Sequence, residues 1–102
     1  MARVAAVVPD LLFGSKVREI LAGAGHEVVI VPTAPEQPVD AIVVDLASGG
    51  ADPESFPAGR RLGIYAHTDV AMKRRADAAG FDLVVPRSRF MREGAALLDS
   101  LL

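Results

Sequence analysis

The chain has 102 residues, of which 51% are hydrophobic and 24% charged, with a net charge of −2, which predicts one folded domain spanning residues 1–102 and excludes a disordered chain. Since there is no cysteine, disulfides, thiol chemistry and Cys-ligated metals are excluded as well. Lys and Arg are scattered, and no apolar run reaches the roughly 18 residues of a membrane-spanning helix, so we predict a cytoplasmic protein without nucleic-acid or membrane partners.

The first third of the chain predicts two strands with a helix between them. Residues 3–8 form an apolar run without alternation, typical of a strand covered on both faces, and Pro9 ends it. The helix that follows has Ser15 as its predicted N-cap and Gly25 just after its end. Residues 27–31 form the second predicted strand.

The middle of the chain is organised around a second unalternating apolar run. Residues 41–46 read Ala-Ile-Val-Val-Asp-Leu, which predicts a central strand with Asp45 at its carboxyl end. Before it, residues 33–38 contain two prolines and predict an irregular crossover in place of a helix. After it, residues 48–59 are predicted to be a loop with at most one short helical turn near residues 54–56.

The last third repeats the alternation of strand and helix. Residues 62–65 predict a fourth strand, followed by a helix that has His67 or Thr68 as its N-cap and runs to Gly80. Residues 83–85 predict the fifth strand.

A last helix is predicted with Ser88 as its N-cap. Its apolar face consists of Phe90, Leu97, Leu98, Leu101 and Leu102. Five strands alternating with helices predict a single doubly wound α/β domain, with a parallel five-stranded sheet in the order 2-1-3-4-5.

Two carboxylates follow strands of this predicted sheet. Chemistry in such folds gathers at the carboxyl ends of the strands, which makes Asp45 and Asp10 the first candidates for a site. Each also has a structural interpretation. Asp45 can bond loop amides or pair with Arg87, and Asp10 can cap the helix that follows it.

Four segments of the sequence resemble the response-regulator receiver domains of bacterial two-component signalling. They are residues 7–10 (Val-Val-Pro-Asp), 42–46 (Ile-Val-Val-Asp-Leu), 64–67 (Ile-Tyr-Ala-His) and 78–87 (Ala-Ala-Gly-Phe-Asp-Leu-Val-Val-Pro-Arg). The resemblance covers the whole chain and implies a flavodoxin-like fold. Because the segments on either side of the third strand are short, we expect helices 2 and 3 of that fold to be shortened or missing.

The resemblance implies that Asp45 occupies the phosphoacceptor position and that Asp10 and Asp45 are the carboxylates nearest to a magnesium site. Three positions depart from the family pattern. Pro9 replaces an acidic residue, Tyr65 a Ser or Thr, and Arg87 a Lys. Since Mg²⁺ needs oxygen ligands and an arginine fork differs in geometry from an ammonium group, we expect a degenerate or pseudo-receiver. No cofactor is expected, apart from Mg²⁺ if the chain is phosphorylated.

The first functional hypothesis is therefore a stand-alone signalling or regulatory protein that binds a protein partner and is not an enzyme. By analogy with receivers, the contact surface is the family's helix 4, strand 5 and helix 5, and a homodimer through this face is a further expectation. The candidate residues of the face are Tyr65, His67, Arg74 and Phe90.

Two alternatives come from other classes of function. The first is a small phosphate- or nucleotide-binding domain, because a helix N-terminus with nearby guanidinium groups attracts anions. Its candidate residues are Asp10, Ser48, Gly49, Gly50, Arg87 and Ser88. The second is a receiver with a relaxed site that still accepts a phosphoryl group on Asp45.

Overall fold

The computed structural model describes residues 1–47, 51–57 and 59–102. The five strands among these residues are β1 (Arg3–Val7), β2 (Glu27–Ile30), β3 (Ala41–Asp45), β4 (Arg61–Tyr65) and β5 (Leu83–Pro86). The helices are α1 (Leu11–Gly23), α2 (Val70–Ala78) and α3 (Arg87–Asp99), with a 3₁₀ turn at Pro53–Ser55. The strands are parallel and lie in the order β2-β1-β3-β4-β5, which confirms the predicted fold. None of the helices in the described ranges has the length and apolar character needed to cross a membrane.

The sheet is covered on both faces at β3. All five residues of β3 are buried. On one face α1 and α3 enclose a core that contains Phe90, and on the other α2 and the 3₁₀ turn enclose a core that contains Phe56 and Phe81. This two-sided burial explains the unalternating apolar run, and it places Asp45 in the middle of the carboxyl edge of the sheet.

The N-terminus of α1 is capped by Asp10, three residues after the end of β1. One carboxylate oxygen of Asp10 accepts hydrogen bonds from the N–H groups of Leu12 (2.9 Å) and Phe13 (3.1 Å). The helix therefore begins at Leu11, and the prediction of Ser15 as N-cap is wrong because Ser15 lies inside the helix.

The N-terminus of α2 is also capped by an aspartate. The side chain of Asp69 accepts a hydrogen bond from the N–H of Met72 at 3.1 Å. The predicted caps, His67 and Thr68, are therefore wrong by one or two positions. A carboxylate at this position binds the free amides of the first turn and also favours the positive end of the helix dipole.

No side chain of the described residues caps the N-terminus of α3, because β5 passes directly into the helix at Pro86. Ser88, the predicted N-cap, is the second residue of α3, so that prediction is wrong.

Phe90, two residues after Ser88 on α3, has no exposed surface. Its predicted place on a partner face is therefore wrong as well, since the side chain belongs to the core.

A buried arginine connects two segments at the amino edge of the sheet. Arg61, the first residue of β4, is only 5% exposed. Its guanidinium donates to the backbone oxygens of Phe56 (3.2 Å) and Ala79 (2.9 Å) and lies 4.8 Å from the centre of the Phe81 ring. Ala79 ends α2, where the helix dipole attracts a cation. No residue that the structure describes forms an ion pair with this buried charge.

Two glycines end helices, as predicted. Gly25 follows α1 with φ at 92°, and Gly80 follows α2 with φ at 90°, a region that favours glycine. Their surroundings differ. A Cβ atom at Gly25 would meet nothing within 4 Å, whereas a Cβ atom at Gly80 would lie 2.9 Å from Nη2 of Arg61.

The connection from β3 to β4, the second of the two short crossovers beside β3, contains a short turn near residues 54–56. Arg75 of α2 holds the turn at Pro53–Ser55 by binding Glu54 at 2.6 Å and Asp52 at 3.3 Å. The hydrogen bond from Arg75 lowers the pKa of Glu54, and the same bond raises the pKa of Arg75. Because these side chains are exposed, the contact positions the turn and adds little to stability.

The connection from β2 to β3 (residues 31–40), the first of these two short crossovers, contains no helix, as its prolines predict. The face of β1 and β2 opposite α1 is therefore covered by no helix that the structure describes. A groove on this face is lined by Arg3, Ala5, Val29 and the crossover itself. The shortened connections expected on both sides of β3 are thus present.

We expect Gly80→Ala to lower the free energy of unfolding more than Gly25→Ala. Both changes force alanine into a left-handed backbone conformation at a cost of about 1 kcal/mol. Only Gly80→Ala also displaces Arg61 from its two hydrogen bonds, which adds about 1–2 kcal/mol. Urea denaturation measures the difference, which should vanish in an Arg61→Ala background. Equal costs for the two glycine variants in the otherwise intact chain would contradict the role of Arg61.

Candidate functional site

Asp45 lies at the carboxyl end of β3 with no exposed surface. Its Oδ1 accepts a hydrogen bond from the N–H of Ala47 at 2.9 Å, and its Oδ2 lies 3.5 Å from Nη2 of Arg87. A buried carboxylate needs such partners, because removing it from water without them is costly. Both contacts foreseen for a structural Asp45, a loop amide and Arg87, are present.

Arg87 connects three elements of the fold. It is the first residue of α3, it reaches Asp45 on β3, and its guanidinium lies 4.0 Å from the centre of the Phe13 ring on α1. The ring of Phe13 is buried, while the Arg87 side chain is 45% exposed. A cation over an aromatic face is worth roughly 0.5–1 kcal/mol at an exposed site. Arg87 is therefore fixed on two sides, by a carboxylate and by a ring.

Asp10 stands at the same edge of the sheet, but its carboxylate is committed to the first turn of α1. Within the described ranges, no group of three His, Asp or Glu side chains lies close enough together to hold a metal ion. Asp45 is buried and faces a cation, and Pro9 offers no carboxylate. The described residues therefore fit a magnesium ion poorly.

Four of the predicted residues meet at one groove between the end of β4 and the start of α3. They are Tyr65, His67, Arg87 and Ser88, and Ala47, Ala66, Pro86 and Met91 complete the lining. Arg74 does not line this groove. Ser48, Gly49 and Gly50 lie outside the described residues. The groove thus joins part of the predicted anion site to part of the predicted partner face.

Phe13 and Met91 were not predicted as residues of this region. Phe13 supports Arg87, and Met91 is an apolar side chain with 41% exposure beside the groove. The sequence did contain a signal for Phe13, because it follows Asp10 within one helical turn and must lie near the same edge of the sheet. The sequence holds no comparable signal for the exposure of Met91.

No protein-family model and no curated protein matches the chain. Solved structures do match. Full-length FixJ from B. japonicum superposes with a TM-score of 0.83 at 16% identity, over 98% of this chain and 57% of FixJ. The receiver domain of the Francisella response regulator 1452 gives 0.81 at 13% identity, over 99% of this chain and 96% of that chain.

The receiver domain of the sensor histidine kinase PA1611 from Pseudomonas aeruginosa, which holds a magnesium ion in its active-site cleft, gives a TM-score of 0.80 at 16% identity, over 98% of this chain and 96% of that domain. The chain has the fold of response-regulator receiver domains. It spans little more than half of the length of FixJ. At these identities the likeness concerns the fold, and the chemistry has to be argued from the residues of this chain.

We expect Arg87→Met to lower the free energy of unfolding by about 1–2 kcal/mol, since it removes the partner of a buried carboxylate and the contact with Phe13. The matched control is Arg89→Met on the same helix. Among the residues that the structure describes, Arg89 pairs only with Glu93, at 3.2 Å on the exposed surface, so its loss should cost less than about 0.5 kcal/mol. Chemical denaturation compares the two variants, and equal costs would contradict the bridging role of Arg87.

Proposed function

We propose that the chain is a receiver-type signalling or regulatory domain of a two-component system that acts by binding a protein partner and not by phosphorylation of Asp45. The observation that carries this proposal is the burial of Asp45 and the polar contacts of its carboxylate. At the position where receivers carry their phosphoacceptor, this carboxylate has no exposed surface, bonds the amide of Ala47 and faces Arg87.

Phosphorylation makes several demands on this site. A carboxylate oxygen must reach the phosphorus of a donor, and a divalent cation must balance the charge that accumulates. Both oxygens of Asp45 already have polar neighbours, and Asp10 is used as a helix cap. Tyr65 stands where a small hydroxyl residue would contact the phosphoryl group. These features together support a domain that does not carry out efficient phosphotransfer.

We expect no phosphoryl-sized mass gain when the chain is incubated with acetyl phosphate and Mg²⁺ and analysed by intact-mass spectrometry. A working receiver treated in parallel shows that the reagents are active, and Asp45→Asn serves as the matched control. A mass gain that Asp45→Asn abolishes would refute the proposal and establish the relaxed phosphoacceptor alternative. A gain that Asp45→Asn leaves unchanged would report modification elsewhere and leave Asp45 unphosphorylated.

The outer side of α2 supports a partner contact. Val70 and Arg74 are four residues apart and lie on one side of the helix. Val70 is 52% exposed, and Arg74 is exposed and forms no ion pair within the described part of the chain. The adjacent cations are different, because Lys73 binds Asp77 and Arg75 binds the 3₁₀ turn. We infer a partner that offers carboxylates around an apolar contact.

This side of α2 belongs to the α2–β5–α3 face, which corresponds to helix 4, strand 5 and helix 5 of the receiver family. Tyr65 is half-buried and His67 exposed at the end of β4, so both border the face. A homodimer through the same face stays a prediction. In a homodimer through this face, its described cations would meet the same cations of the second copy. We therefore favour a different protein as the partner here.

We expect Arg74→Glu to abolish capture of the partner in a pull-down from the host of this protein. The control is Arg18→Glu, which makes the same change of charge at an exposed position of α1, on the opposite face of the sheet. Equal loss of the partner in both variants would indicate an effect of net charge and would contradict the α2–β5–α3 face. Retention in both would contradict it as well.

A second candidate function is the binding of phosphate or a nucleotide. The observation that favours it is the groove where Arg87, Ser88 and His67 meet at the uncapped N-terminus of α3. If this alternative holds, inorganic phosphate raises the melting temperature of the chain, and Arg87→Met removes the increase. A melting temperature that neither phosphate nor nucleotides raise would contradict this alternative.

The remaining properties follow as inferences from this proposal. A domain that acts by contact needs no catalytic activity of its own, and we infer that the chain is not an enzyme. We place it in the cytoplasm, in agreement with the lack of cysteine, and we treat residues 1–102 as one domain.

A further inference from the structure

The two edge strands of the sheet differ in how they are protected. Val84 and Val85 of β5 are buried between α2 and α3. On β2, Val29 and Ile30 are 42% and 40% exposed. An apolar edge strand that remains exposed is prone to pair with another strand, and proteins usually protect such an edge with charges, prolines or a covering segment.

The backbone of β2 has unused hydrogen-bonding groups on its outer side. Glu27 and Val31 donate their N–H groups to β1, at 2.9 and 3.0 Å. Since successive residues of a strand turn their polar groups to opposite sides, Val28 and Ile30 direct their N–H and C=O groups away from β1. Among the described residues, β1 is the only strand paired with β2. Four polar groups are therefore available at this edge.

Little protects the edge of β2 against pairing. The only charge within the strand is on Glu27, at its beginning, where Arg3 of β1 neutralises it at 3.3 Å. Pro32 lies beyond the end of the strand. One face of β2 is covered by α1, and the other borders a groove formed with the helix-free crossover, whose Val31, Ala34 and Val39 pack against the core. A second strand can therefore approach without displacing a helix on that face.

We propose that β2 pairs in antiparallel orientation with β2 of a second copy of this chain, in a register centred on Val29. In this register Val28 of each copy lies opposite Ile30 of the other, and each pair exchanges two N–H···O=C hydrogen bonds. The two-fold axis therefore yields four hydrogen bonds, which satisfy all the outward groups of both residues. The two Val29 side chains meet at the axis, with their Cα atoms about 4.5 Å apart.

The sequence of the strand favours a second copy in this register. Glu27 of one copy lies opposite Val31 of the other, so no like charges face each other. A shift of two residues towards the end of the strand would bring Pro32, which has no N–H, into the ladder. A two-fold axis also makes the contact closed, so that it ends at a dimer and does not grow into a fibre.

The dimensions allow the contact and limit its strength. Strands lie about 4.8 Å apart and α1 lies over β1 and β2, so the two α1 helices come about 10 Å apart, near the usual helix-packing distance. A contact between two four-residue strands and one pair of helices falls below the roughly 1,600 Å² of a standard interface. The dimer is therefore weak and depends on concentration.

The test is sedimentation velocity from about 10 µM to about 1 mM, the range in which an undersized interface associates. The intact chain should dimerise, and Val29→Lys and Val29→Glu should each weaken dimerisation at least about tenfold, because two like charges meet at the axis. An equimolar mixture of the two variants should associate again, since opposite charges then meet. Val70→Lys, at an exposed valine on α2, should leave dimerisation unchanged.

Amide exchange measured by NMR locates the contact independently of the substitutions. The N–H groups of Val28 and Ile30 should become protected as the concentration rises, while the outward amides of β5 should not change. A chain that stays monomeric up to the highest concentration overturns the proposal. So does a dimer that survives in both Val29 variants, or one that Arg74→Glu abolishes, which would place the contact on the α2–β5–α3 face.

Discussion

The contact between Asp45 and Arg87 is the interaction on which the carboxyl edge of this domain depends. β3 is buried on both faces, so its last residue carries a charge into a place that water does not reach. The charge is tolerated because Arg87 stands opposite it and Ala47 donates an amide. Arg87 in turn lies on Phe13, so β3, α3 and α1 meet at one guanidinium. A carboxylate used in this way holds elements together, and it is poorly placed to receive a phosphoryl group.

The two short crossovers on either side of β3 have opposite consequences. The second compensates for its missing helix with a 3₁₀ turn, and Phe56 from this segment packs edge-on against Phe81, with ring centres 6.3 Å apart. Arg61 adds hydrogen bonds beneath these rings. The first crossover packs Val31, Ala34 and Val39 against the same core but contains no helix or turn, and a groove remains between it and β2. The sheet is therefore covered on both faces at β3, whereas at β2 only one face is covered by a helix that the structure describes.

Much of this fold could be predicted from the sequence, because strands buried on two faces leave unbroken apolar runs and prolines mark their ends. The position of Asp45 followed from the same pattern. The helix starts could not be predicted as well, since Asp10 and Ser15 are both good caps and only the path of the chain decides between them. The burial of Arg61 depends on packing between distant segments, and local sequence carries no sign of it. Phe90 differs, because its helical spacing already placed it on the apolar face of the last helix and only its assignment to a partner face was wrong.

The shortened connections on both sides of β3 affect both the candidate site and the exposed edge at β2. A receiver that changes state on phosphorylation needs a free carboxylate at β3 and helices that can respond to it. Here the carboxylate is held by Arg87, and the connections beside it are reduced to a turn and a proline-rich segment. Among the described residues, the surface that remains available is Arg74, which forms no ion pair, the exposed Val70 beside it on α2, and the outward backbone groups of β2. Since a domain with a fixed site can still present such surfaces, the proposed regulation by occupancy of a binding face is compatible with this architecture.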